Sequence, residues 1–288
     1  MWAVVINPIS GRGKGALLGT HVTGFLHSQN IDYSIITAPN AELLRDALER
    51  FTDSVETDGV IAVGGDGLVH LVLQVVAKKS IPFAVIPGGT GNDFSKNLGI
   101  SGQSVEEILS RVLYSKPKPI DLGLVDSEYF GAILSTGFDS VVNERANVLS
   151  WPKGPSRYNA AILLELPKFR PLEYEISIDG NVFITQAMLI AVGNGTSYGG
   201  GMKVCPDADI HDGLFDVMIL RPVSKLEFLK IFPSVYIGAH IEHEQVEVLK
   251  GKSVTISSDA IAYADGERIG QLPVKAECIS NAALAWAL

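Results

Sequence analysis

The chain has 288 residues, of which 47% are hydrophobic, and it carries a formal net charge of −9. This length and hydrophobic content allow a packed core and predict two domains. The acidic excess argues against a general nucleic-acid binder, because phosphate backbones attract basic surfaces. Cys205 and Cys278 lie in no Cys-x-x-Cys motif, so we expect ordinary thiols in a reducing compartment.

The N-terminal run predicts a first strand, since Asn7 and Pro8 interrupt it too early for a signal peptide or a membrane span. Later apolar stretches are also far shorter than the roughly twenty residues that cross a bilayer. We therefore expect a soluble, cytoplasmic protein.

Strands alternate with helices over the first 115 residues. Strands are predicted at Ala3–Ile6, Tyr33–Thr37, Val60–Val63 and Phe83–Ile86, and helices at Ala16–Ser28, Ala41–Thr52, Val69–Lys79 and Ser104–Tyr114. This alternation predicts a parallel sheet with helices on both faces. Ligands of such folds bind at the carboxyl ends of the strands.

The pattern changes after the Lys-Pro-Lys-Pro segment at residues 116–119. Short strands are predicted at Tyr129–Leu134, Glu173–Ile178, Val182–Val192, Phe215–Leu220, Val246–Leu249 and Ser253–Ser257, and helices at Ser156–Leu166 and Lys225–Phe232. We predict an α/β nucleotide-binding domain with a parallel sheet at residues 1–118, which residues 272–288 could complete. A β-sandwich-like domain should follow at residues 119–271.

Two glycine-rich turns follow predicted strands, at Gly64–Gly67 and at Pro87–Phe94. Glycine lets backbone N–H groups close on phosphate, because it accepts backbone conformations and close contacts that a side chain would block. Each turn also contains an aspartate, Asp66 or Asp93. Carboxylates repel phosphate, so their presence indicates a divalent cation between them. The turns predict a nucleotide phosphate and a magnesium ion.

A third glycine-rich segment, Asn7–Gly15, lies between a strand and a helix. It lacks the Gly-Lys-Ser/Thr order of a P-loop, although Arg12 and Lys14 could contact phosphate. A flexible basic loop and a phosphate-binding loop both remain open for this segment.

Taken together, the motifs resemble the diacylglycerol kinase catalytic domain family of bacterial soluble lipid kinases, which also includes sphingosine and ceramide kinases. The resemblance rests on Asn7-Pro8 to Gly11, Gly64 to Gly67, Pro87 to Phe94, Asp121-Leu122-Gly123, Pro206-Asp207 to Phe215 and Asp265-Gly266-Glu267. It implies an ATP-dependent kinase with an α/β domain and a β-sandwich domain, and a substrate that enters between them.

The resemblance also implies roles for individual residues. Glu267 matches the catalytic base, which accepts a proton from a lipid hydroxyl. Asp66, Asp93 and Asp121 match aspartates linked to the catalytic magnesium. The resemblance and the glycine turns together assign nucleotide binding to Asn7, Pro8, Ile9, Ser10, Gly11, Arg12, Thr37, Gly64, Gly65, Asp66, Gly67, Leu68, Val69, His70, Leu71, Gly88, Gly89, Thr90 and Asn92.

A second magnesium loop is implied at residues 207–214. There the Asp212 carboxylate and the backbone carbonyls of Asp209 and Leu214 would be ligands. From the residues alone, an acidic turn of this kind is more often simply solvated.

The sequence departs from the family pattern after Gly67. Leu68 replaces the usual threonine, and His70-Leu71 replaces the usual Asn-Glu or His-Glu. Losing the hydroxyl removes one phosphate hydrogen bond, but leucine also occurs there in sphingosine-type relatives. These residues therefore say little about which lipid is the acceptor.

Contact with a membrane is left open. Five basic residues lie between positions 145 and 172 against one acidic residue, Glu165, with Trp151 and Tyr158 among them; the basic residues are Arg145, Lys153, Arg157, Lys168 and Arg170. This segment could contact the inner face of a bilayer, or it could be a helix that packs on the sheet. A homodimer is also left open.

Residues 240–244 resemble a metal cluster but lack the His-Glu-x-x-His spacing, so a turn or a helix end is favoured. The residues and the resemblance together favour an ATP- and Mg²⁺-dependent lipid kinase acting on diacylglycerol or a related lipid. The alternatives are an NAD kinase, a sphingoid or ceramide kinase, and a non-catalytic nucleotide- or lipid-binding module.

Overall fold

The computed structural model describes residues 1–151 and 155–288. The strands in these ranges are β1 Trp2–Ile6, β2 Tyr33–Ile36, β3 Gly59–Gly64, β4 Phe83–Pro87, β5 Lys118–Val125, β6 Glu128–Phe130, β7 Ile133–Gly137, β8 Leu172–Ile178, β9 Asn181–Ala187, β10 Leu189–Gly193, β11 Phe215–Leu220, β12 Val246–Gly251, β13 Ser253–Ser257, β14 Ile261–Ala264, β15 Glu267–Gln271 and β16 Val274–Ala285. The helices are α1 Ser10–Ser28, α2 Ala41–Ser54, α3 Asp66–Lys79, α4 Asp93–Asn97, α5 Val105–Tyr114, α6 Phe138–Val148, α7 Pro155–Glu165 and α8 Lys225–Ile231, followed by two 3-10 helices, Phe232–Ile237 and Ala239–Glu242.

The described chain divides into two compact units. Unit 1 comprises Met1–Leu122 and Ile279–Leu288, and unit 2 comprises Gly123–Cys278. The chain passes from one unit to the other within β5 and again within β16. None of the helices in residues 1–151 and 155–288 has the length and apolar character needed to cross a membrane.

Unit 1 is built on a parallel sheet with the strand order β2-β1-β3-β4. Its central strands are rich in β-branched residues and lie buried, as expected for a parallel sheet covered on both faces. Ile6 pairs in register with Val63, and Gly64 pairs with Pro87. The carboxyl ends of β1, β3 and β4 therefore lie at one edge.

Side-chain caps fix the starts of two helices of unit 1. The Asn40 side chain accepts a hydrogen bond from the Leu43 backbone N–H at 2.9 Å before α2. Ser104 and Glu107 form a reciprocal capping box before α5. Both devices satisfy backbone donors that the first helical turn leaves unpaired.

The last ten residues of the chain belong to unit 1. The Trp286 ring lies 5.5 Å from the Trp2 ring, and its Nε1 donates to the Ser115 carbonyl at 3.1 Å. The Leu288 N–H donates to the Leu98 carbonyl at 3.0 Å. These contacts join the end of the chain to β1 and to the segments that flank α5.

Unit 2 contains two antiparallel sheets, one with the order β12-β11-β10-β7-β14-β15 and one with the order β9-β8-β13-β16. Side chains from both sheets, including Tyr174, Ile190 and Val254, share one buried cluster. The Phe130 and Phe215 rings stack within it at 5.7 Å. This is the β-sandwich-like arrangement that the sequence predicted.

Helices cover the other face of the six-stranded sheet. Met218 and Leu220 of β11 are buried against Phe138 of α6, Ile162 of α7 and Phe228 of α8. Unit 2 therefore has two cores, one within the sandwich and one between the sheet and its helices.

Two predicted strands are wrong in extent. The run at 182–192 divides at Met188 into β9 and β10, which belong to different sheets, and the run at 129–134 divides between β6 and β7. Ala187 and Met188 are fully buried, so the chain changes sheet without a glycine or a polar residue that would mark the corner.

Several elements were not assigned from the sequence, and α6 and β16 are the longest of them. The α6 segment follows β7 directly through Gly137, whose φ of 94° makes the abrupt turn. The β16 segment ends in an alanine-rich stretch, and alanine has a low strand propensity. In both cases tertiary packing outweighs the local signal.

Candidate active site

Three glycine-containing turns meet at the carboxyl edge of the unit 1 sheet. The Gly88 N–H donates to the Gly64 carbonyl at 2.7 Å, and a Cβ placed on Gly89 would lie 2.6 Å from the Gly65 Cα. A Cβ placed on Gly11 would lie 2.2 Å from the Gly88 oxygen. Such distances leave no room for a side chain, so the turns contact each other backbone to backbone.

The first turn departs from helical geometry inside α1. Gly11, Arg12 and Gly13 have positive φ values of 55°, 62° and 93°. A left-handed conformation costs a residue such as Arg12 roughly 1–2 kcal/mol, and backbone strain of this kind concentrates at functional sites. The Ser10 hydroxyl is buried and has no hydrogen-bond partner in the described residues, and it lies beside Gly88. These features favour the phosphate-binding interpretation of the segment.

The neighbouring predicted nucleotide contacts lie at the same edge. The Asn7 N–H donates to the Val63 carbonyl at 3.0 Å, and the Asn7 Oδ1 accepts from the Ile9 N–H at 3.3 Å. Pro8, Ile9 and Arg12 are exposed. Thr37 is exposed directly after β2, whose carboxyl end lies at this edge because β2 pairs parallel to β1.

The second turn passes into α3 through Gly65, whose carbonyl accepts from the N–H groups of Leu68 and Val69 at 3.0 and 3.1 Å. The side chains of residues 68–71 are buried. A Cβ placed on Gly64 would lie 2.6 Å from the Leu68 Cδ2. The Leu68 side chain thus packs over the end of β3. The family usually has a threonine hydroxyl at this position, whereas here a buried leucine side chain supports the turn.

The third turn is closed by its own asparagine. The Asn92 Oδ1 accepts from the Gly89 N–H at 2.8 Å, while the Asn92 Nδ2 donates to the Gly89 carbonyl at 3.1 Å. Asn92 itself has a φ of 52°, a conformation that asparagine tolerates. Thr90 is left exposed at the tip of the turn.

Two of the three predicted magnesium-linked aspartates lie on touching turns. The Asp66 Oδ1 accepts from the Phe94 N–H at 3.2 Å, which brings this carboxylate beside Asp93. Asp93 is buried and pairs with the Lys96 Nζ at 2.7 Å. Asp121 instead accepts from the Asn281 N–H at 2.8 Å.

Residues 1–151 and 155–288 contain no group of three or more His, Cys, Asp or Glu side chains placed to hold a metal ion. Magnesium in kinase-type sites uses one or two carboxylates and takes its remaining ligands from substrate phosphates and water. Asp66 and Asp93, which lie on touching turns, would be the carboxylates available to such an ion, and Asp93 would then exchange its contact with Lys96 for the metal.

The predicted second magnesium loop already contains a cation from the protein. The Asp212 Oδ1 accepts from the Leu214 N–H at 2.9 Å, and the Asp212 Oδ2 pairs with the Lys250 Nζ at 3.1 Å. The same ammonium group lies 3.0 Å from the buried Asp216. The hydrogen bonds that Lys250 donates to Asp216 and Asp212 raise the pKa of Lys250, while burial raises the pKa of Asp216. Asp212 therefore faces a protein cation in this structure, and its role as a metal ligand with Asp209 and Leu214 stays a prediction.

Glu267 is presented in unit 2 by a tight hairpin. Asp265 and Gly266, with φ values of 51° and 87°, connect β14 to β15 in the two-residue turn that favours Asp-Gly. The Asp265 carboxylate accepts from the N–H groups of Gly131 at 2.8 Å and Ala132 at 2.9 Å. Glu267 is exposed at the start of β15. The hairpin thus holds this carboxylate on an anchored backbone.

A buried carboxylate that the sequence analysis did not identify lies in the second core of unit 2. Asp139 accepts hydrogen bonds from the hydroxyls of Ser135 at 2.5 Å, Tyr198 at 2.6 Å and Tyr158, and from the Asn143 Nδ2 at 3.1 Å. Burial nevertheless raises the pKa of Asp139. Burial and the adjacent Asp139 also raise the pKa of both tyrosines well above 10.0.

Asp139 lies at the wall of a narrow, almost entirely apolar cavity within unit 2. Side chains from α6, α7, α8, the sheet and the 3-10 helices line it, among them Ile162, Met218, Phe228 and Phe232. A few polar groups in an apolar cavity are typical of small-molecule sites. His240 also lines the cavity; it is buried in a 3-10 helix, and its Nε2 is 3.0 Å from the Val204 carbonyl.

Comparisons with known proteins show the family to which the chain belongs. The family model for the diacylglycerol kinase catalytic domain matches residues 1–125, and the model for the YegS C-terminal NAD kinase beta sandwich-like domain matches residues 132–285. A diacylglycerol kinase of Mycobacterium tuberculosis (strain ATCC 25618 / H37Rv) is 35% identical over 283 residues, which cover 96% of this chain and 91% of that protein. The chain belongs to the diacylglycerol kinase family.

Other members of the family are similar over smaller parts of their length or at lower identity. A diacylglycerol kinase of Bacillus subtilis (strain 168) is 33% identical over 76% of this chain and 74% of its own. The crystal structure of a diacylglycerol kinase from Bacillus anthracis str. Sterne shares the fold with a TM-score of 0.76 at 22% identity, covering 100% of this chain and 96% of that one. A second structure from that organism gives 0.80 at 24% identity, covering 100% and 95%.

The structure thus brings together most of the predicted nucleotide contacts of this kinase-family chain but assembles no metal cluster in its described residues. The group missed from the sequence is Asp139 with its tyrosines. Asp139 follows a glycine and a phenylalanine in an ordinary helical pattern, and its partners lie 19 and 59 residues further along. The only sequence signal was an acidic residue next to an apolar strand, which is too common to identify a site.

Proposed function

We propose that this protein is an ATP- and Mg²⁺-dependent lipid kinase that transfers the γ-phosphoryl group of ATP to a hydroxyl of diacylglycerol or a related lipid. The observation that carries the proposal is the backbone contact among the three glycine turns, at Gly11, Gly64–Gly65 and Gly88–Gly89. Turns that touch in this way have no side chain between them, so their backbone groups would be able to approach a ligand at this edge closely. That surface suits a polyphosphate.

Each turn of unit 1 has a separate part in the proposed phosphate site. The left-handed run at residues 11–13 and the Ser10 hydroxyl would bind phosphate oxygens, and Asn92 keeps the third turn closed around Gly89. Thr37 and Thr90, both exposed, would contact the rest of the nucleotide. A bound magnesium ion, held by Asp66 and Asp93, would neutralise negative charge on the phosphates.

Glu267 would accept the proton of the acceptor hydroxyl. In this step the hydroxyl oxygen forms a bond to the γ-phosphorus, the bond from that phosphorus to the β-γ bridging oxygen breaks, and the proton passes to the Glu267 carboxylate. ADP leaves with the electron pair of the broken bond. An exposed carboxylate on the anchored Asp265-Gly266 turn is suited to this role, because its backbone position is fixed while the side chain is free to reach a ligand.

A lipid acceptor is supported by the apolar cavity of unit 2 and by the names of the relatives. The cavity lining is almost entirely hydrocarbon, as an acyl chain would require, and Asp139, Tyr198 and His240 are among its few polar residues. The acceptor lipid would come from the inner face of the cytoplasmic membrane, where the protein would work as a peripheral, cytoplasmic enzyme.

A transfer assay tests this function. Labelled ATP with Mg²⁺ is offered diacylglycerol, a sphingoid base, ceramide or NAD, and we expect label on diacylglycerol. Glu267→Gln should lower turnover by about 10²–10⁴-fold, because general-base catalysis contributes that much, while nucleotide affinity persists. Glu173→Gln, at another exposed carboxylate of unit 2, is the matched control and should behave as wild type.

The other outcomes separate the alternatives. Label on NAD and on no lipid would make the protein an NAD kinase, a function that the name of the C-terminal family model also mentions. Nucleotide binding without transfer to any acceptor would make it a non-catalytic module. Transfer by Glu267→Gln at the wild-type rate would remove Glu267 as the base.

A further inference from the structure

The helices that cover the six-stranded sheet of unit 2 expose large apolar side chains. Leu163 is 64% exposed, Leu226 74% and Ile237 75%. With their neighbours they form a set that we call the apolar rim: Val148, Trp151, Leu163, Leu164, Leu226, Leu229, Tyr236 and Ile237. Single exposed apolar residues are ordinary, but a set confined to consecutive helical segments indicates an interaction site.

These helices are apolar on both sides. In α7, Ile162 faces the core while Leu163 and Leu164 face outward; in α8, Phe228 is buried while Leu226 and Leu229 are exposed. A helix that only covers a sheet needs one apolar face and presents polar residues to water. The second apolar face therefore needs an explanation beyond packing on the sheet.

Ring contacts show that the rim segments lie side by side. The Phe138 ring lies 5.1 Å from Phe169, which follows α7, and 5.0 Å from Phe228 of α8. From Phe228 the ring contacts continue to Phe232 at 6.0 Å and to Tyr236 at 6.1 Å. Tyr236 belongs to the rim, whereas Phe228 and Phe232 line the cavity that holds Asp139. The rim and the cavity are thus two sides of one layer of helices.

Basic residues accompany the rim although the chain has a net charge of −9. Lys168, Arg170 and Lys230 are exposed beside it. Lys225 donates to the Phe169 carbonyl, and burial and the nearby Arg170 lower the pKa of Lys225, which places the start of α8 close to the segment after α7. Among the acidic residues of this region, Glu165 is buried and pairs with the Arg145 Nε at 2.5 Å, Glu227 of α8 lies 3.4 Å from the His243 Nε2, and Glu242 is exposed. The exposed basic side chains of Lys168, Arg170 and Lys230 therefore outnumber the exposed acidic ones beside the rim.

We propose that the apolar rim, together with Lys168, Arg170 and Lys230, is the surface through which the protein docks on an anionic lipid bilayer. Apolar side chains would enter the interface between headgroups and acyl chains, and the basic side chains would contact anionic headgroups. A bilayer accounts for both the apolar and the basic residues, because its surface offers hydrocarbon and anionic headgroups side by side. This proposal rests on the proposed function, because that function requires the protein to reach an acceptor lipid in a membrane.

This surface differs from the one that the sequence suggested between Arg145 and Leu172. Tyr158 is turned inward onto Asp139, and Arg145 is paired with Glu165. Lys153 lies outside the described residues. Half of the rim, Val148, Trp151, Leu163 and Leu164, lies in that segment, and the other half lies on α8 and the following 3-10 helix, which the sequence analysis did not connect with a membrane.

Vesicle binding tests the proposal without relying on catalysis. The purified protein is sedimented with vesicles of phosphatidylcholine alone and with vesicles of phosphatidylcholine mixed with phosphatidylglycerol. We expect binding to the anionic vesicles and a strong decrease with salt, because surface attraction is screened. The variant Lys168→Gln/Arg170→Gln/Lys230→Gln should bind on the order of a hundredfold more weakly.

Matched variants separate the rim from the rest of the surface. Leu163→Ser/Leu226→Ser/Ile237→Ser should lose binding to the anionic vesicles. The control Val182→Ser/Ile184→Ser, at side chains 63% and 66% exposed on β9 of the same unit, should bind as wild type. Lys116→Gln/Lys118→Gln/Lys252→Gln is the control for charge. Unchanged melting temperatures would show that all variants fold.

Unchanged vesicle binding by the rim variants would overturn the proposal. The proposal would also be overturned if the wild type formed a dimer, the Leu163→Ser/Leu226→Ser/Ile237→Ser variant were monomeric, and the wild type did not bind vesicles. The rim would then be a self-association surface. Transfer to a short-chain, water-soluble diacylglycerol is measured in parallel. If the protein transferred phosphate to this lipid but bound no vesicles, only the docking role of the rim would be overturned. If it bound vesicles through the rim but transferred phosphate to no acceptor, only the proposed kinase function would be overturned.

Discussion

Unit 1 and unit 2 carry their candidate functional groups in different ways. In unit 1 the groups are backbone atoms of short glycine-rich turns, each next to a strand of a parallel sheet. In unit 2 they are side chains such as Asp139 and Tyr198, which lie 59 residues apart in the chain and meet through their hydroxyl and carboxylate oxygens. A site made from backbone needs particular residue types within one segment, whereas a site made from side chains needs only that the fold bring them together.

The largest effect is expected at the backbone site. Gly89→Ala places a Cβ against the Gly65 backbone, so the turns must separate. We expect a loss of transfer on the order of a hundredfold and a lower stability by about 1–3 kcal/mol, the usual cost of overpacking. Kinetics of ATP transfer and thermal unfolding measure the two effects.

Gly24→Ala is the control for this substitution. Gly24 is an exposed position of α1 with nothing within 4 Å of the added Cβ. Alanine there should raise stability by roughly 0.5–1 kcal/mol and leave transfer unchanged. If both alanine variants had the same activity, close contact of the turns would have no part in binding the nucleotide.

A smaller effect is expected at the Lys250 ion pair of unit 2. Lys250→Met removes the cation between Asp212 and the buried Asp216, which should lower stability by about 1–2 kcal/mol because the pair is partly exposed and screened by solvent. Added Mg²⁺ should raise the melting temperature of this variant more than that of the wild type.

Chelation tests whether the residues around Asp212 bind a metal ion in the wild type. With Lys250 present, EDTA should leave the melting temperature of the nucleotide-free protein unchanged. A clear decrease in the wild type would instead support the predicted metal ligands Asp209, Asp212 and Leu214.

The smallest effect is expected at Asp139. Burial raises the pKa of its carboxyl, so the folded protein binds a proton more tightly than the unfolded chain does. Ionisation of Asp139 therefore reduces stability as pH rises from about 4, the unfolded value, through its higher folded pKa. Asp139→Asn should lose about 1 kcal/mol at low pH, since the amide nitrogen cannot accept from a tyrosine hydroxyl, and should regain part of this difference as pH rises.

Thermal unfolding of both proteins at a series of pH values checks the expectation at Asp139. The difference between the two curves isolates this carboxyl from the other acidic groups, which both proteins share. A difference that is constant across pH would mean that Asp139 has the same pKa in the folded and unfolded chains.

Much of the fold was predictable because local patterns and tertiary structure agree. The four parallel strands of unit 1 and the strands Phe215–Leu220 and Ser253–Ser257 of unit 2 lie where the apolar runs predicted them. The prediction was wrong at 182–192, where a continuous apolar run changes sheet at Met188. A run of apolar residues indicates that a segment is buried, but residues on both sides of Met188 are buried, so the run does not show where the chain changes sheet.

The candidate site was predictable to the same degree. Glycine turns that follow strands imply a shared edge, since parallel strands end together, and the turns at Gly64 and Gly88 do meet. That Leu68 packs over Gly64 could not be inferred, because the sequence does not show which side of α3 faces the sheet. The roles of Glu267 and of the aspartates remain predictions that the substitutions above test.

By itself, the sequence determined the two-part organisation, the parallel sheet and the glycine turns, because these depend on residue type and on short-range periodicity. Only the tertiary structure decided that Asp139 lies between two tyrosines, that Lys250 neutralises Asp212, and that apolar residues of α7 and α8 remain exposed. Each of these depends on which distant side chains come within a few ångströms. That information enters only when the chain packs, since hydrogen bonds, ion pairs and exposure are properties of the assembled surfaces.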